Sequence, residues 1–454
     1  MDPQQVTSRA LHDVPEDDDR VSVIDDGTDQ GRNGRSDLEK RATATSTAST
    51  PETYPEGGLQ AWLVVLGSWF SLFASLGLMN TIAMFQAYVL SHQLQGHSES
   101  TVGWIFSIYT FLAFFCGVYI GPIFDKYGPF WLNVAGASCT VGGVLAMSFC
   151  TELWHFILSF GVLAGLGSSL LFTPSIAAVG HWFKARRGFA TGLACTAGGI
   201  GGVIFPLMQT ALFDKIGYGW TTRVLALICM CCSIVGVILV RSRLPPAENA
   251  TAHPDFRIFR QVPFLLTALG LFLLEFSLFI PLTYISTYAM HKGFDKDFAY
   301  HLLPIMNAGS VVGRALPGYY ADVVGPFNTC IGSVVVSMVA CLCVWLPSGH
   351  TKAGCILFSV MFGFSSGTSI AIAPVCIGKL CKTQEYGRYY ATTYTLVSFA
   401  CLIGIPIGGA IVEANGGEYH GLIIMTGSVY AGSLVCFLWA KAAKLGWGAW
   451  RTAY

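Results

Sequence analysis

Apolar positions in this chain cluster in long runs rather than alternating with a short period. From Leu59 onward, apolar stretches recur with short polar gaps between them. A helix needs roughly 20 mostly apolar residues to cross a bilayer. Twelve such runs are read near 60–90, 102–120, 131–150, 154–180, 188–212, 221–240, 263–290, 298–318, 327–346, 354–378, 389–412 and 421–440. The first, fourth, seventh and tenth are long and are expected to tilt or bend. The expected fold is an all-α membrane protein of twelve transmembrane helices. Before Leu59 the pattern is absent. Residues 1–56 are rich in Asp, Ser, Thr and Pro, hold "PEDDD" at 15–19 and have no aromatic before Tyr54. Such a segment buries too little apolar surface to offset its ordering entropy, so a disordered acidic tail over 1–56 is expected. It has neither the basic start and apolar core of a signal peptide nor a myristoylation start.

Composition narrows the class. Of 454 residues, 53% are hydrophobic and 11% charged, against roughly 25% charged in soluble domains. A soluble enzyme, a nucleic-acid binder and a disordered scaffold are excluded. The zero net charge is the sum of two unlike parts. Residues 1–56 hold 13 acidic and 6 basic side chains, while the remainder carries a net charge of +7. With both termini in the cytosol, the inner loops and C-terminal end hold 14 basic residues and the outer loops and ends 5, leaving Arg314 inside a span. This split predicts a multi-pass protein, expected in the plasma membrane, with both termini cytoplasmic. Its expected partners are the lipid bilayer and a small-molecule substrate, not nucleic acid, and a monomer is expected. Most of the 15 Cys lie within spans, and Cys229, Cys231 and Cys232 lack zinc spacing, so they read as small packers and no metal is expected. Asn249 begins a glycosylation triplet, but the topology places it in the cytosol.

Two loops repeat each other. Gly121, Asp125, Gly128, Pro129 and Phe130 follow span two, and Gly318, Asp322, Gly325, Pro326 and Phe327 follow span eight. The offset is a constant 197 residues. The repeat predicts two six-helix halves, 57–240 and 263–445, joined by a central loop 241–262 and followed by a short tail 446–454. Each Asp can accept hydrogen bonds from amides at a neighbouring helix N-terminus, locking the cytoplasmic side in one state. The pattern resembles the signature G-x-x-x-D-[RK]-x-G of the major facilitator superfamily, present as Gly121, Asp125, Lys126 and Gly128. The second copy keeps Gly318, Asp322 and Gly325 but has Val323 in place of the basic residue. The resemblance covers 57–445.

Four stretches are more narrowly similar to the monocarboxylate porter family, particularly its fungal branch. They are "PEGGLQAWLVVLGSWF" (55–70), "HWFKARRGFATGLACTAGGIGGVIFP" (181–206), "LFIPLTYISTYA" (278–289) and "GIPIGGAIV" (404–412). The resemblance implies a secondary transporter that moves a small organic anion or related metabolite by alternating access, coupled to protons and needing no other cofactor. Efflux of a fungal secondary metabolite is the rival within this class. A ligand sensor built like a transporter is the rival outside it, and the short C-terminal tail argues against that.

Ionisable groups inside spans are candidates for mechanism. Glu275 lies 13 residues into span seven, roughly 20 Å deep at 1.5 Å per residue. A carboxyl at that depth is a candidate proton-coupling site; a hydrogen-bonded structural Glu is the alternative. Arg314 shares a face of span eight with Ser310 and Asn307. The resemblance implies that Arg314 holds the substrate carboxylate; a structural Arg snorkelling to the inner interface and pairing with Asp322 or a helix C-terminus is the alternative. The animal lactate carriers place an Asp where Ser310 stands and a Lys where Asn80 stands, so their proton and anion relay is not intact here. Tyr284 and Tyr288, and Tyr390 and Tyr394, are candidates for an aromatic cavity, with interface or core packing as the alternative. Lys184, Arg186 and Arg187 read as inner-face anchors, with a gating role as the sharper alternative. Gly363-Phe364-Ser365-Ser366-Gly367 fits G-x-S-x-G, but it sits inside an apolar span without a strand-to-helix elbow, so no enzyme is expected.

Overall fold

The computed structural model describes residues 54–97, 99–243 and 256–446. The acidic segment up to residue 53, Asn249, most of the central loop and the tail after 446 lie outside the described residues. Every regular element among the described residues is helical. The first crossing, α1, comes in two pieces, Leu59–Met79 and Ile82–Ser91, and α2 likewise, Glu99–Phe115 and Gly117–Tyr127. Next come α3 (Phe130–Met147) and α4, which runs from Leu153 to Trp182 with a π-helical stretch at Ile157–Ala164. Helices α5 and α6 share the continuous stretch Arg187–Leu239, which Gly217 breaks with φ 75°. The second half holds α7 (Val262–His291), α8 (Lys296–Val324), α9 (Pro326–Val339, continued by a π-helical turn), α10 (Lys352–Gly378), α11 (Tyr386–Ala414) and α12 (His420–Leu445).

Ten of these stretches are long and apolar enough to cross a membrane, among the described residues. One of them is the 53-residue run that Gly217 divides, and the 29-residue α8 is not among the ten. With that run divided and α8 added, the helices are consistent with twelve crossings. Helix α8 is the least apolar because its buried face carries Asn307, Ser310 and Arg314. Exposed aromatics mark both rims: Tyr127, Phe130 and Trp131 at one end, Phe149, Trp154 and Trp220 at the other. Such belts suit the headgroup region. The end carrying Asp125, Lys184 and Asp322 is called inner below, after the basic-residue split.

The long first span, expected to tilt or bend, is interrupted at Asn80 and Thr81, where the Asn80 side chain donates to the Leu76 and Gly198 carbonyls at 3.1 and 2.8 Å. One expectation needs correction. The acidic tail was expected to run free to residue 56, yet Tyr54 and Glu56 are held by specific contacts described below.

The halves meet along two seams. Helix α8 lies on α5, and α11 lies on both pieces of α2. Glycines make the α5 contact close. A Cβ at Gly188 would meet Asp322, at Gly192 the Arg314 carbonyl, at Gly199 Ser310 and at Gly202 Asn307. Small residues let helices approach this way in a bilayer. Gly363 and Gly367 serve the same purpose, seating α10 against the backbone of Met306 and Ser310.

Candidate functional site

The inner end is closed by three layers. Outermost are two carboxylates that cross between halves. Asp125 accepts from the backbone N–H of Gly387 and Arg388 at 3.0 and 2.8 Å. Asp322 accepts from Gly188 and Phe189 at 2.7 and 2.9 Å. Each carboxylate therefore sits on the first turn of a helix in the other half, where unpaired donors and the helix dipole favour an anion. Gly128 and Gly325 end the preceding helices at φ 79° and 100°, a conformation that suits glycine. Lys126 lies outside the contact, its ammonium 5.2 Å from the Tyr127 ring.

The second layer is Arg187 stacked on Tyr386, with the guanidinium carbon 3.8 Å from the ring centroid. Arg187 is buried, and a Cβ at Gly180 or Gly378 would strike its guanidinium. Tyr386 donates to the Pro374 carbonyl at 3.0 Å. The third layer is aromatic. Tyr386, Tyr390 and Tyr394 ascend one face of α11 with ring centroids 5.8 and 4.5 Å apart. Phe114 and Phe172 of the first half meet Tyr394 at 5.4 and 6.0 Å.

Above this floor lies a cavity between the halves. It has about 40 Å³ open to water centres, room for about three waters. The first half contributes Leu76, Met79, Asn80, Phe114 and Phe172. The second half contributes both charges, Glu275 and Arg314, together with Asn307, Ser310, Ser366, Tyr394 and an apolar strip along α7. Glu275 and Arg314 are each 3% exposed. They interact electrostatically, and no ion pair within 4.0 Å joins them among the described residues. Arg314 donates Nη1 to the Cys195 carbonyl of α5 at 2.8 Å, while its buried Nε has no hydrogen-bond partner. Asn307 donates to the carbonyls of Gly202 and Leu303, and Ser310 to that of Asn307.

A family model described as Major Facilitator Superfamily matches residues 61–405. The chain belongs to the Major Facilitator Superfamily. Relatives within it include the riboflavin transporter MCH5 of Saccharomyces cerevisiae, 33% identical over 87% of this chain and 80% of its own length. Another is the aspyridones efflux protein apdF of Emericella nidulans, 32% identical over 86% and 80%. Among solved structures, the superfamily transporter FucP in its outward conformation covers 83% of this chain and 98% of its own, with TM-score 0.67 and 16% identity. This chain is therefore a multi-pass membrane transporter of that superfamily.

The cavity gathers six of the nine residues expected to bind substrate or protons: Asn80, Glu275, Asn307, Ser310, Arg314 and Tyr394. Tyr284 and Tyr288 are elsewhere. Tyr284 donates to the Ile405 carbonyl at 2.9 Å, and Tyr288 packs against Trp345 and Tyr419. The reason is helical phase. Glu275, Leu278, Phe279 and Leu282 share the cavity face of α7, and Tyr284 lies about 200° around from Leu282. Tyr390 sits one turn inward of Tyr394, in the floor. The suggested Arg314–Asp322 pairing is not made, because Asp322 is committed to α5 amides. Phe114 and Phe172 also line the cavity, and nothing in their apolar spans distinguishes them; Ser366, noted only within the G-x-S-x-G match, lines it too. Arg187, read as an inner-face anchor or a gating residue, is buried within the closure of the inner end.

Proposed function

We propose that the protein is a secondary transporter for an amphipathic organic anion, working by alternating access with a proton carried on Glu275. One observation carries the reading: Arg314 lines the cavity and its buried Nε has no hydrogen-bond partner. A buried unpaired donor costs about 1–3 kcal/mol, and a carboxylate or other ligand oxygen removes that cost with charge-assisted bonds. The resemblance to monocarboxylate porters supports the same role for Arg314. The apolar wall from the first half supports a substrate with a sizeable apolar body. The present cavity is too small for one, since sites for such ligands run to about 300–1,000 Å³. Binding therefore needs the halves to part, as alternating access requires.

Glu275 and Arg314 balance each other when both are ionised. An anion arriving at Arg314 removes that balance and favours protonation of Glu275, so anion and proton bind together. Export of a secondary metabolite is supported by the efflux relative; transport of a planar heterocycle is a second reading supported by the riboflavin relative.

Metabolites inside and outside cells, with and without the gene, identify the cargo and its direction. The protein in liposomes then tests the site. Arg314→Ala should reduce transport of that cargo by about 100-fold or more, the loss of two charge-assisted bonds at about 1.5–3 kcal/mol each. Glu275→Gln should keep binding but abolish substrate-dependent proton movement. Retained anion transport in the first variant, or retained proton movement in the second, would sink the corresponding role.

A further inference from the structure

We infer that Tyr54, Pro55 and Glu56 form a latch across the inner end, with Glu56 as its fixed anchor and the Tyr54 hydroxyl as its detachable catch. The anchor is a set of three backbone hydrogen bonds. Glu56 accepts from Lys184, Ala185 and Arg186 at 2.8, 2.7 and 3.0 Å. These amides precede, with Arg187 between, the two that Asp322 holds. Five donors at the start of α5 thus rest on two carboxylates, one from each half. The Glu56 bonds lie within the first half and survive any separation of the halves. The Asp322 bonds do not.

The backbone is shaped for this contact. Glu56 has φ 49°, the one positive φ of a non-glycine residue among the described residues. That conformation is unfavourable for a side chain with a Cβ and persists only where surrounding contacts hold it. Gly58 follows at φ 86° and launches α1. The turn presents Tyr54 to two cations, with Lys184 Nζ 5.3 Å and Arg243 Cζ 5.5 Å from its ring centroid. From there its hydroxyl donates to Thr383 Oγ1 at 2.7 Å. Thr383 opens the short turn Thr383–Glu385 directly before α11, the helix whose first amides Asp125 caps. Tyr54 therefore ties the loop ahead of α5 to the loop ahead of α11. Those two loops must separate when the inner end opens. The latch stabilises the closed inner end and slows its opening, and in this it rests on the alternating-access reading above.

Amide hydrogen exchange on the full chain in lipid nanodiscs tests this without a known substrate. The amides of Gly387 and Arg388 report opening, and the latch does not touch them. Tyr54→Phe and Thr383→Val should each raise their exchange rate by about two- to tenfold, the worth of one net hydrogen bond. The double variant should rise no further than either single one. Glu56→Gln should give the same remote rise, because an unanchored strap cannot hold its catch. A change confined to residues 184–186 in Glu56→Gln, or no change at 387–388 in Tyr54→Phe and Thr383→Val, overturns the latch if Asp322→Asn opens the same amides. Unchanged exchange in Asp322→Asn as well overturns the alternating-access reading and the latch with it.

Discussion

The seam between α2 and α11 and the seam between α5 and α8 descend from one repeat, yet they do different work. Both close at the inner end with an Asp on the first amides of the opposing helix. Above that cap they diverge. The α5–α8 seam continues as close glycine contacts past Gly192 and Gly199 to Gly202, with Arg314, Ser310 and Asn307 as its partners. The α2–α11 seam has Gly121 against the Gly387 carbonyl and Ala391, then turns aromatic, with Phe111 and Phe115 against Phe399 at 5.4 and 6.0 Å. The repeat offset of 197 places Arg314 opposite Gly117. Gly117 merely allows Thr173 and Ala391 to approach. The cap is thus shared by both halves, and the charge is not. Residues kept by the repeat hold the halves together; the residue that breaks it reaches the cavity.

The largest test of this difference is steric. Gly121→Val and Gly192→Val each force a side chain against backbone of the other half. Overpacking of this kind costs about 1–3 kcal/mol, so each should slow transport of the identified cargo by roughly 10- to 100-fold. If only Gly192→Val does so, the α2–α11 seam is not a gate. Next are the caps. Asp125 is buried and Asp322 half-buried, so Asp125→Asn should release the inner end more than Asp322→Asn. Loss of a charge-assisted bond at about 1.5–3 kcal/mol corresponds to a rise of about tenfold or more in exchange at the remote pair of amides, Gly188 and Phe189 for the first and Gly387 and Arg388 for the second. Equal responses would make the two seams interchangeable. The smallest effect belongs to the floor. Tyr394→Phe keeps the ring that packs on Phe114 and Phe172 and should change transport by less than about threefold; a larger loss would assign its hydroxyl to the substrate.

Much of the architecture was legible because it follows from local rules. Apolar runs of bilayer length, the basic-residue split and a repeated Gly-x-x-x-Asp loop each depend on residues close in sequence. The breaks were less legible. Asn80 interrupts α1 by bonding a carbonyl 118 residues away, which no window along the chain contains. Tyr284 and Tyr288 looked like cavity residues by type and depth, but the phase of α7 turns them towards other helices of their own half. Arg314 and Glu275 stood out as rare charges in apolar spans. Their placement on one cavity could not be read, since they sit on different helices whose rotation is set by packing. Glu56 falls both at the end of the acidic stretch and in the family-like opening 55–70, and neither shows its three partners, which lie 128 to 130 residues downstream.

The sequence by itself determined that this chain crosses a membrane in two related halves and which carboxylates cap the seams. Burial of apolar length and helix-end electrostatics act over a few residues and leave their mark in order along the chain. Only the tertiary structure decided which polar groups share the cavity, that the Arg314 Nε is buried without a partner, and that the Tyr54 hydroxyl bonds Thr383 of the other half. Those outcomes depend on helix rotation and on contacts between distant segments, which close packing selects.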